Sequence, residues 1–545
     1  MNNKKTYTIM FNRFRIFLLV LLGTVTLWSC SKDLELTPED NRQTSASAFE
    51  DPAAYKQFLA KLYAGFAVSG QDGPAGNPDL TGLDEGFSQY MRLYFMMQEL
   101  PTEEAVIGWN DGTIKDLHYQ NWTSGNEFIR TMYSRIMYQI AQSNEYLRQT
   151  TEDVLNARGV EASLQADIQT YRAEARFLRA LSYWHALDLY GNPPFVTEDD
   201  APGAFLPEQI SSADLFSYIE SELLAIEGEL KAPMTNQYGR ADQAAAWMLL
   251  AKLYQNSEKY NGEDHSADVV TYTSKVIDAG FGLVDDYQKL FLADNNSNGA
   301  QNEIIFPITY DGINSQSYGG MTFIIHTAVG GDMDPDNFGI NGGWAGLRTT
   351  SALVNKFLDN EDDAVEEVND SRAMFFTEGQ TKEITDISNF NSGYAITKYK
   401  NVDVNGNAGS DPTGDFPDTD FPMFRLGDAY LMYAEAVVRG GGGDTGKAVD
   451  YINKLRMRAY GDSSANISSS DLTLDFILDE RARELFWEAH RRTDLIRFGM
   501  FSDRGIWPYK GGVPQGATTE AFRDLMPIPS SELGVNTNLT QNPGY

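Results

Sequence analysis

In QADIQTYRAEARFLRALSYWHALDLYG the side chains Ile168, Tyr171, Ala175, Leu178, Leu181 and Trp184 recur at steps of three or four. That period lines one face of an α-helix, and Gly191 with Pro193 and Pro194 marks where the helix must stop. The same period runs through ADQAAAWMLLAKLYQN from Ala241, YLMYAEAVV from Tyr430 and KAVDYINKLRMRA from Lys447. RGGGGDTG joins the last two, so residues 425–459 predict a helical hairpin. Ala434, Ala436 and Ala448 are small enough to let its helices approach closely, as in a tetratricopeptide unit.

Between about 262 and 424 the pattern changes to Gly, Asn and Asp with short apolar runs. EIIFPITYDG and MTFIIHTAV read as strands. A rigid helical scaffold carrying a long looped region is a common way to build a binding surface. The expected architecture is therefore mostly α: one large domain on tetratricopeptide-like helix pairs, with a loop-rich binding half and a few short strands.

The N-terminus has its own pattern. Lys4, Lys5, Arg13 and Arg15 precede the apolar run Ile16 to Trp28, and no acid appears before Asp33. The run is too short to span a hydrocarbon core of about 30 Å and reads as a signal peptide. Cys30, the chain's one cysteine, follows in LWSC, which resembles a bacterial lipobox. Residues 1–29 are then a lipoprotein signal peptide, 30–48 a lipidated N-terminus and flexible tether, and 49–545 the folded domain.

Charge narrows the ligand. Forty-three basic residues against 77 acidic ones give −34, and removal of residues 1–29 takes away four positive charges and no acid, leaving −38. Such a field repels nucleic acid and anionic lipid. Neutral ligands fit best.

Catalytic and nucleotide motifs fail on context. GGGDTGKA (441–448) follows a helix and has Ala448 where a phosphate loop needs Ser or Thr, so it reads as a turn. DMDPDN (332–337) lacks the glycine and closing Glu of a calcium loop. The five histidines are scattered. In DERARELFWEAHRRTDLIRFG, acids and arginines alternate at helical spacing and read as a structural salt-bridge lattice. A glycosidase needs only two carboxylates facing a cleft, so a surface glycosidase stays as an alternative.

Five segments together resemble the SusD/RagB family of outer-membrane nutrient-binding lipoproteins: 171–195, 239–256, 424–437, 480–499 and the ending MPIPSSELGVNTNLTQNPGY. PDLTGLDEGFSQYMRLYFMMQELPTEE, SYGGMT, FPDTDFPMFRL and FGMF are most similar to the starch-binding type. The resemblance implies non-catalytic glycan capture at the cell surface, with delivery to a SusC-like TonB-dependent transporter. It implies an aromatic arc of Trp109, Tyr318 and Trp344, with Arg92 bonding sugar hydroxyls and Asn110 or Asp111 beside Trp109. Pyranose rings have apolar faces that pack on such rings. It also implies one structural calcium ion, for which Asn296, Asn298, Asp418 and Asp420 are the candidates. Starch or a maltooligosaccharide is the implied glycan. The loop after Trp109 departs from the family pattern, which keeps laminarin and fructans open.

Overall fold

Eighteen consecutive residues from Ala173 to Tyr190 are buried apart from Arg176, which is why the helix α4 (Ala162–Tyr190) sits at the centre of the architecture rather than on its surface. The computed structural model describes residues 48–80, 85–200, 203 and 205–545; Cys30, the signal peptide and nearly all of the expected tether lie outside them. Contacts divide the chain into Met1–Tyr55 and Lys56–Tyr545. In the first unit the rings of Phe49 and Tyr55 pack at 5.1 Å; the second holds the helical scaffold and its short strands. Among the described residues no helix is long and apolar enough to cross a membrane.

The principal helices are α1 (Ala54–Ala67), α2 (Tyr90–Glu99), α3 (Glu127–Gln149), α4, α5 (Ser212–Ile226), α6 (Gln243–Gln255), α7 (Ser266–Ile277), α8 (Gly320–Thr327), α9 (Leu426–Val438), α10 (Thr445–Tyr460), α11 (Leu474–Leu485) and α12 (Arg491–Arg497). They pack as successive pairs: α3 on α4, α4 on α5, α6 on α7, α7 on α9, and α9 on α10. The α9–α10 hairpin closes as its small residues demand. Ala434 and Ala448 are fully buried, and Tyr430 stacks on Tyr451 at 4.6 Å. The glycine run before α10 is a turn, with Gly442 and Gly443 at φ 80° and 81° and Asp444 capping the helix. Gly191 ends α4 at φ 71°, a conformation glycine adopts without steric cost.

Two segments differ from their sequence reading. MTFIIHTAV forms the helix α8, not a strand. Every one of its residues from Gly320 to Thr327 is buried, so the run has no polar face whose spacing could separate helix from strand. Ser266–Ile277, within the region read as loops, is a helix despite its β-branched VVTYT. Val269, Tyr272, Thr273 and Val276 are buried at helical steps, and packing on α6 outweighs local propensity.

Among the described residues six short strands pair in three antiparallel ladders: β1 (Val106–Ile107) with β3 (Leu347–Arg348), β2 (Ile304–Ile308) with β6 (Phe421–Arg425), and β4 (Phe375–Phe376) with β5 (Ala395–Ile396). β2 conforms to the strand reading of EIIFPITYDG. Its register places Ile304 opposite Arg425, and β6 runs straight into α9, so the Arg425 side chain enters the protein interior.

There the acid and arginine run forms a lattice, buried rather than displayed on a surface. Arg425 contacts Glu303 at 3.1 Å, Glu484 at 2.7 Å and Glu488 at 2.6 Å. Arg372 contacts Asp370, Glu480 and Glu484, and Arg481 contacts Asp428 and Asp494. The run is not one helix. It breaks between α11 and α12, where Trp487 and Ala489 adopt φ 60° and 61°. The Glu104 and Glu99 carboxylates accept their backbone N–H groups at 3.0 and 2.6 Å, which holds a backbone that costs of order 1–3 kcal/mol per residue.

These carboxylates set an acid limit on stability. Burial alone would raise them, yet the arginines hold Glu480, Asp494 and Glu484 below the ordinary range, Glu484 at about 2. A depressed carboxyl stabilises the fold above its unfolded pKa and loses that contribution as pH falls toward its folded one. Burial lifts Glu99 and Glu104 instead, Glu104 to about 7, and the Glu104 contribution declines as pH rises from about 4.5 to 7. Urea titrations are expected to show a steep loss of stability below about pH 4.5. Glu104→Gln is expected to flatten the decline on the neutral side.

Candidate functional site

The two-residue ladder of β1 and β3 brings two distant tryptophans together. Its register sets Val106 against Arg348 and Ile107 against Leu347, and Gly108 N–H continues it to Gly346 O at 3.0 Å. Trp109, two residues past β1, and Trp344, three before β3, therefore meet. Their rings lie 6.4 Å apart, tilted by 39°, and Trp109 Nε1–H donates to Trp344 O at 3.2 Å. Both are half-buried.

The end of α8 supports this pair. The N–H groups of Trp344, Ala345 and Gly346 donate to the carbonyls of His326, Val329 and Thr327 at 2.7, 2.9 and 2.8 Å, satisfying acceptors that a helix terminus leaves open. Ala345 takes φ 50° to do so. The His326 ring stacks under Trp344 at 4.7 Å, and the Phe323 ring meets Trp109 edge-on at 6.0 Å. His326 Nδ1 and Nε2 lie 2.7 and 3.0 Å from the carbonyl oxygens of Gly342 and Asp415. Burial pulls its pKa below the ordinary histidine value, against those two contacts.

Arg92, expected to bond sugar hydroxyls, lies beneath the tryptophan pair. It is 2% exposed, with its guanidinium carbon 4.2 Å from the ring centroids of both Phe87 and Phe323. A guanidinium packed between two rings is a plate in the floor, and Phe323 links it to Trp109. Tyr318 is half-buried and packs on Phe416 at 5.2 Å; it joins the tryptophan pair through the 415–416 segment that His326 touches. Asn110 is exposed and Asp111 half-buried at the rim beside Trp109.

Of the four calcium candidates, Asn298, Asp418 and Asp420 hold hydrogen bonds within the protein. Asn298 is used within its own loop, donating to Lys289 O and Asp294 Oδ1 and accepting from Ala300 N–H. Asp418 Oδ1 accepts from Gly312 N–H at 2.7 Å and from the Ser410 hydroxyl, and its Oδ2 accepts from Ser410 N–H. Asp420 accepts Tyr310 N–H at 2.8 Å, and Asn296 lines a cavity with it. Among the described residues no group of three or more His, Cys, Asp or Glu side chains could hold a metal.

Sequence reasoning missed Phe323, His326 and Gly346. The first two are three apart on one helix face, a signal hidden by reading α8 as a strand. A Cβ on Gly346 would lie 2.9 Å from Trp109 Cε2, closer than carbon atoms pack. Gly346→Ala is expected to push the Trp109 ring aside, giving a shifted tryptophan emission spectrum and roughly tenfold weaker ligand binding, equivalent to about 1.4 kcal/mol.

A helical-pair scaffold that props two partly open indole rings at a loop surface defines a binding protein of the stacking type. The chain belongs to the SusD family. It is 36% identical to the starch-binding protein SusD of Bacteroides thetaiotaomicron, over 96% of this chain and 97% of that one, and the SusD family model matches residues 360–545. It is 27% identical to SusD-like protein P2 of Formosa agariphila, over 73% of this chain and 78% of that protein. Its fold is similar to surface glycan-binding protein A from Bacteroides thetaiotaomicron, solved in complex with laminarihexaose. The TM-score is 0.67 at 18% identity, covering 90% of this chain and 98% of that one.

Proposed function

We propose that this protein captures a neutral oligo- or polysaccharide on the Trp109–Trp344 pair, with Tyr318 extending the aromatic surface, and does not cleave it. The observation that carries this reading is the pair itself. Two indoles stay half-exposed while a buried stack of Phe323, His326 and Arg92 fixes their orientation, and preorganised rings bind with little ordering cost. Asn110 and Asp111 at the rim are placed to meet ring-edge hydroxyls.

Starch or a maltooligosaccharide is the first ligand to test, because the 36% identical relative is a starch-binding protein. Laminarin is the second, because the laminarihexaose complex shares this fold; a fructan is the third. We further propose that Cys30 carries a lipid that holds the protein on the outer membrane, facing outward, and that it hands its glycan to a SusC-like TonB-dependent transporter.

Native gels containing starch, laminarin or inulin test capture: retarded migration in at least one supports it, and unchanged migration in all three sinks it. Steady release of reducing ends from the same glycans would replace binding with hydrolysis. Co-purification of a TonB-dependent transporter from detergent-solubilised membranes tests the handover.

A further inference from the structure

The arginines of the interior lattice face carboxylates, whereas Arg348, on β3, directs its donors to backbone carbonyls. It is fully buried. Nε–H donates to Ser392 O at 2.9 Å, Nη1–H to Gly346 O at 3.1 Å and Nη2–H to Ile387 O at 2.6 Å. The Phe390 ring lies 5.9 Å from its guanidinium carbon. Asp386 and the Tyr509 hydroxyl favour its charge, but burial outweighs them and pulls its pKa down to about 10. A cation buried in this way is costly unless its hydrogen bonds are well made.

The three carbonyls belong to the walls of the tryptophan site. Gly346 O is the acceptor that continues the β1–β3 ladder, taking Gly108 N–H at 3.0 Å, so it stands between the turn that carries Trp344 and the residue before Trp109. Ile387 O and Ser392 O belong to the 384–392 loop, which lies directly against that residue. A Cβ on Gly108 would sit 3.0 Å from Ile387 O, 3.1 Å from Arg348 Nη1 and 3.7 Å from Ser388 Cα. The loop also reaches the other tryptophan: a Cβ on Gly330 would meet both Ala345 Cβ, at 2.7 Å, and Phe390 Cδ1, at 3.0 Å. Arg348 is thus bonded to both the ladder and the loop that flank the two indoles.

We propose that Arg348 is the positioning residue of the Trp109–Trp344 pair: its planar guanidinium ties the Gly346 carbonyl to the 384–392 loop and thereby fixes the separation and tilt of the indoles. The inference rests on the reading of this pair as the glycan surface. A planar fork reaches three carbonyls in fixed directions, which a compact ammonium cannot do. Without the fork, Ile387 O and Ser392 O lose a charged donor inside the protein, the loop moves off Gly108, and the rings must be ordered by the glycan at a cost in affinity.

Far-UV circular dichroism of the whole protein tests it. Two indoles 6.4 Å apart and tilted by 39° couple as excitons, and the resulting band depends on their separation and angle. The part of the spectrum lost in Trp109→Phe defines that band. Arg348→Lys keeps the charge and loses the fork; Arg348→Gln loses the charge and keeps one planar amide. Each is expected to shrink the band and to weaken binding of whichever polymer the unaltered protein retains, starch, laminarin or inulin, by about tenfold. Thermal melts show which variant folds, and one folded variant suffices. Arg481→Lys, which disturbs buried bonds to Asp428 and Asp494 instead, is expected to lower the melting temperature with band and retention unchanged. An undiminished band in a folded Arg348 variant overturns the proposal, as does unchanged retention beside a diminished band. Equal loss of band in Arg481→Lys, or failure of both Arg348 variants to fold, assigns the arginine to the fold as a whole and also overturns it. If the unaltered protein retains none of the three polymers, the capture reading fails, and the band still decides whether Arg348 holds the pair.

Discussion

Arg425→Met is expected to lower the unfolding free energy by about 3–5 kcal/mol, the cost of removing one partner from a buried ion network. Arg425 bridges Glu303, Glu484 and Glu488, and all four side chains are buried. Methionine matches much of the arginine stem in volume but leaves those carboxylates short of positive charge. Arg458 still contacts Glu303 and Glu484, and Lys398 still contacts Glu488 at 2.7 Å, so part of the loss is compensated and the protein can remain folded in the absence of denaturant. Arg425→Lys is expected to recover little, because a point ammonium cannot reach three carboxylates as a planar fork does. The exposed pair Lys454 and Asp450, 2.9 Å apart, is the contrast: Lys454→Ala is expected to cost less than about 1 kcal/mol. Urea midpoints measure all three. Equal midpoints for Arg425→Met and Lys454→Ala would mean that the lattice carries no more stability than a surface pair.

The same lattice shows what the sequence made legible. Alternating acids and arginines at residues 480–497 announce ion pairs, and the 3.6-residue period announces α4, α6, α9 and α10. Depth was not legible, because Glu303 and Arg425 belong to segments whose pairing is non-local. Nor was the break at Trp487, since two left-handed residues there depend on carboxylates from α2 and the segment after it. The candidate site divides in the same way. Trp109 and Trp344 stand out as large rings in glycine-containing turns, but a ladder of only two residues on each strand brings them together, and two residues are too few for any periodic signal. Arg92 carries the right chemistry for a sugar hydroxyl, and its packing between the rings of Phe87 and Phe323 was not legible because Phe323 lies far off in the chain. Asn298 is used by its own loop, whereas Asp418 also ties the 410–420 segment to Gly312, a long-range partner that local sequence cannot announce.

Replacing Trp109 and Trp344 together with alanine is expected to abolish glycan retention while leaving the fold intact. Burying one indole face against a sugar contributes about 1.5 kcal/mol, roughly tenfold in affinity. The two rings touch, so their losses need not add. Trp109→Ala also removes the Nε1–H bond to Trp344 O, and Trp344→Ala also bares the His326 ring. Each single variant should therefore weaken binding by more than its own stacking area implies, and the double variant by less than the product of the two. Trp247→Ala is the control, because that indole is half-buried on α6 and donates to Glu227 at 2.8 Å, in contact with neither ring. Gel retardation and calorimetry on starch and laminarin read the outcome. If the double variant binds as tightly as the unaltered protein, glycan capture does not take place on this surface. If Trp247→Ala weakens binding equally, the effect belongs to folding and not to stacking.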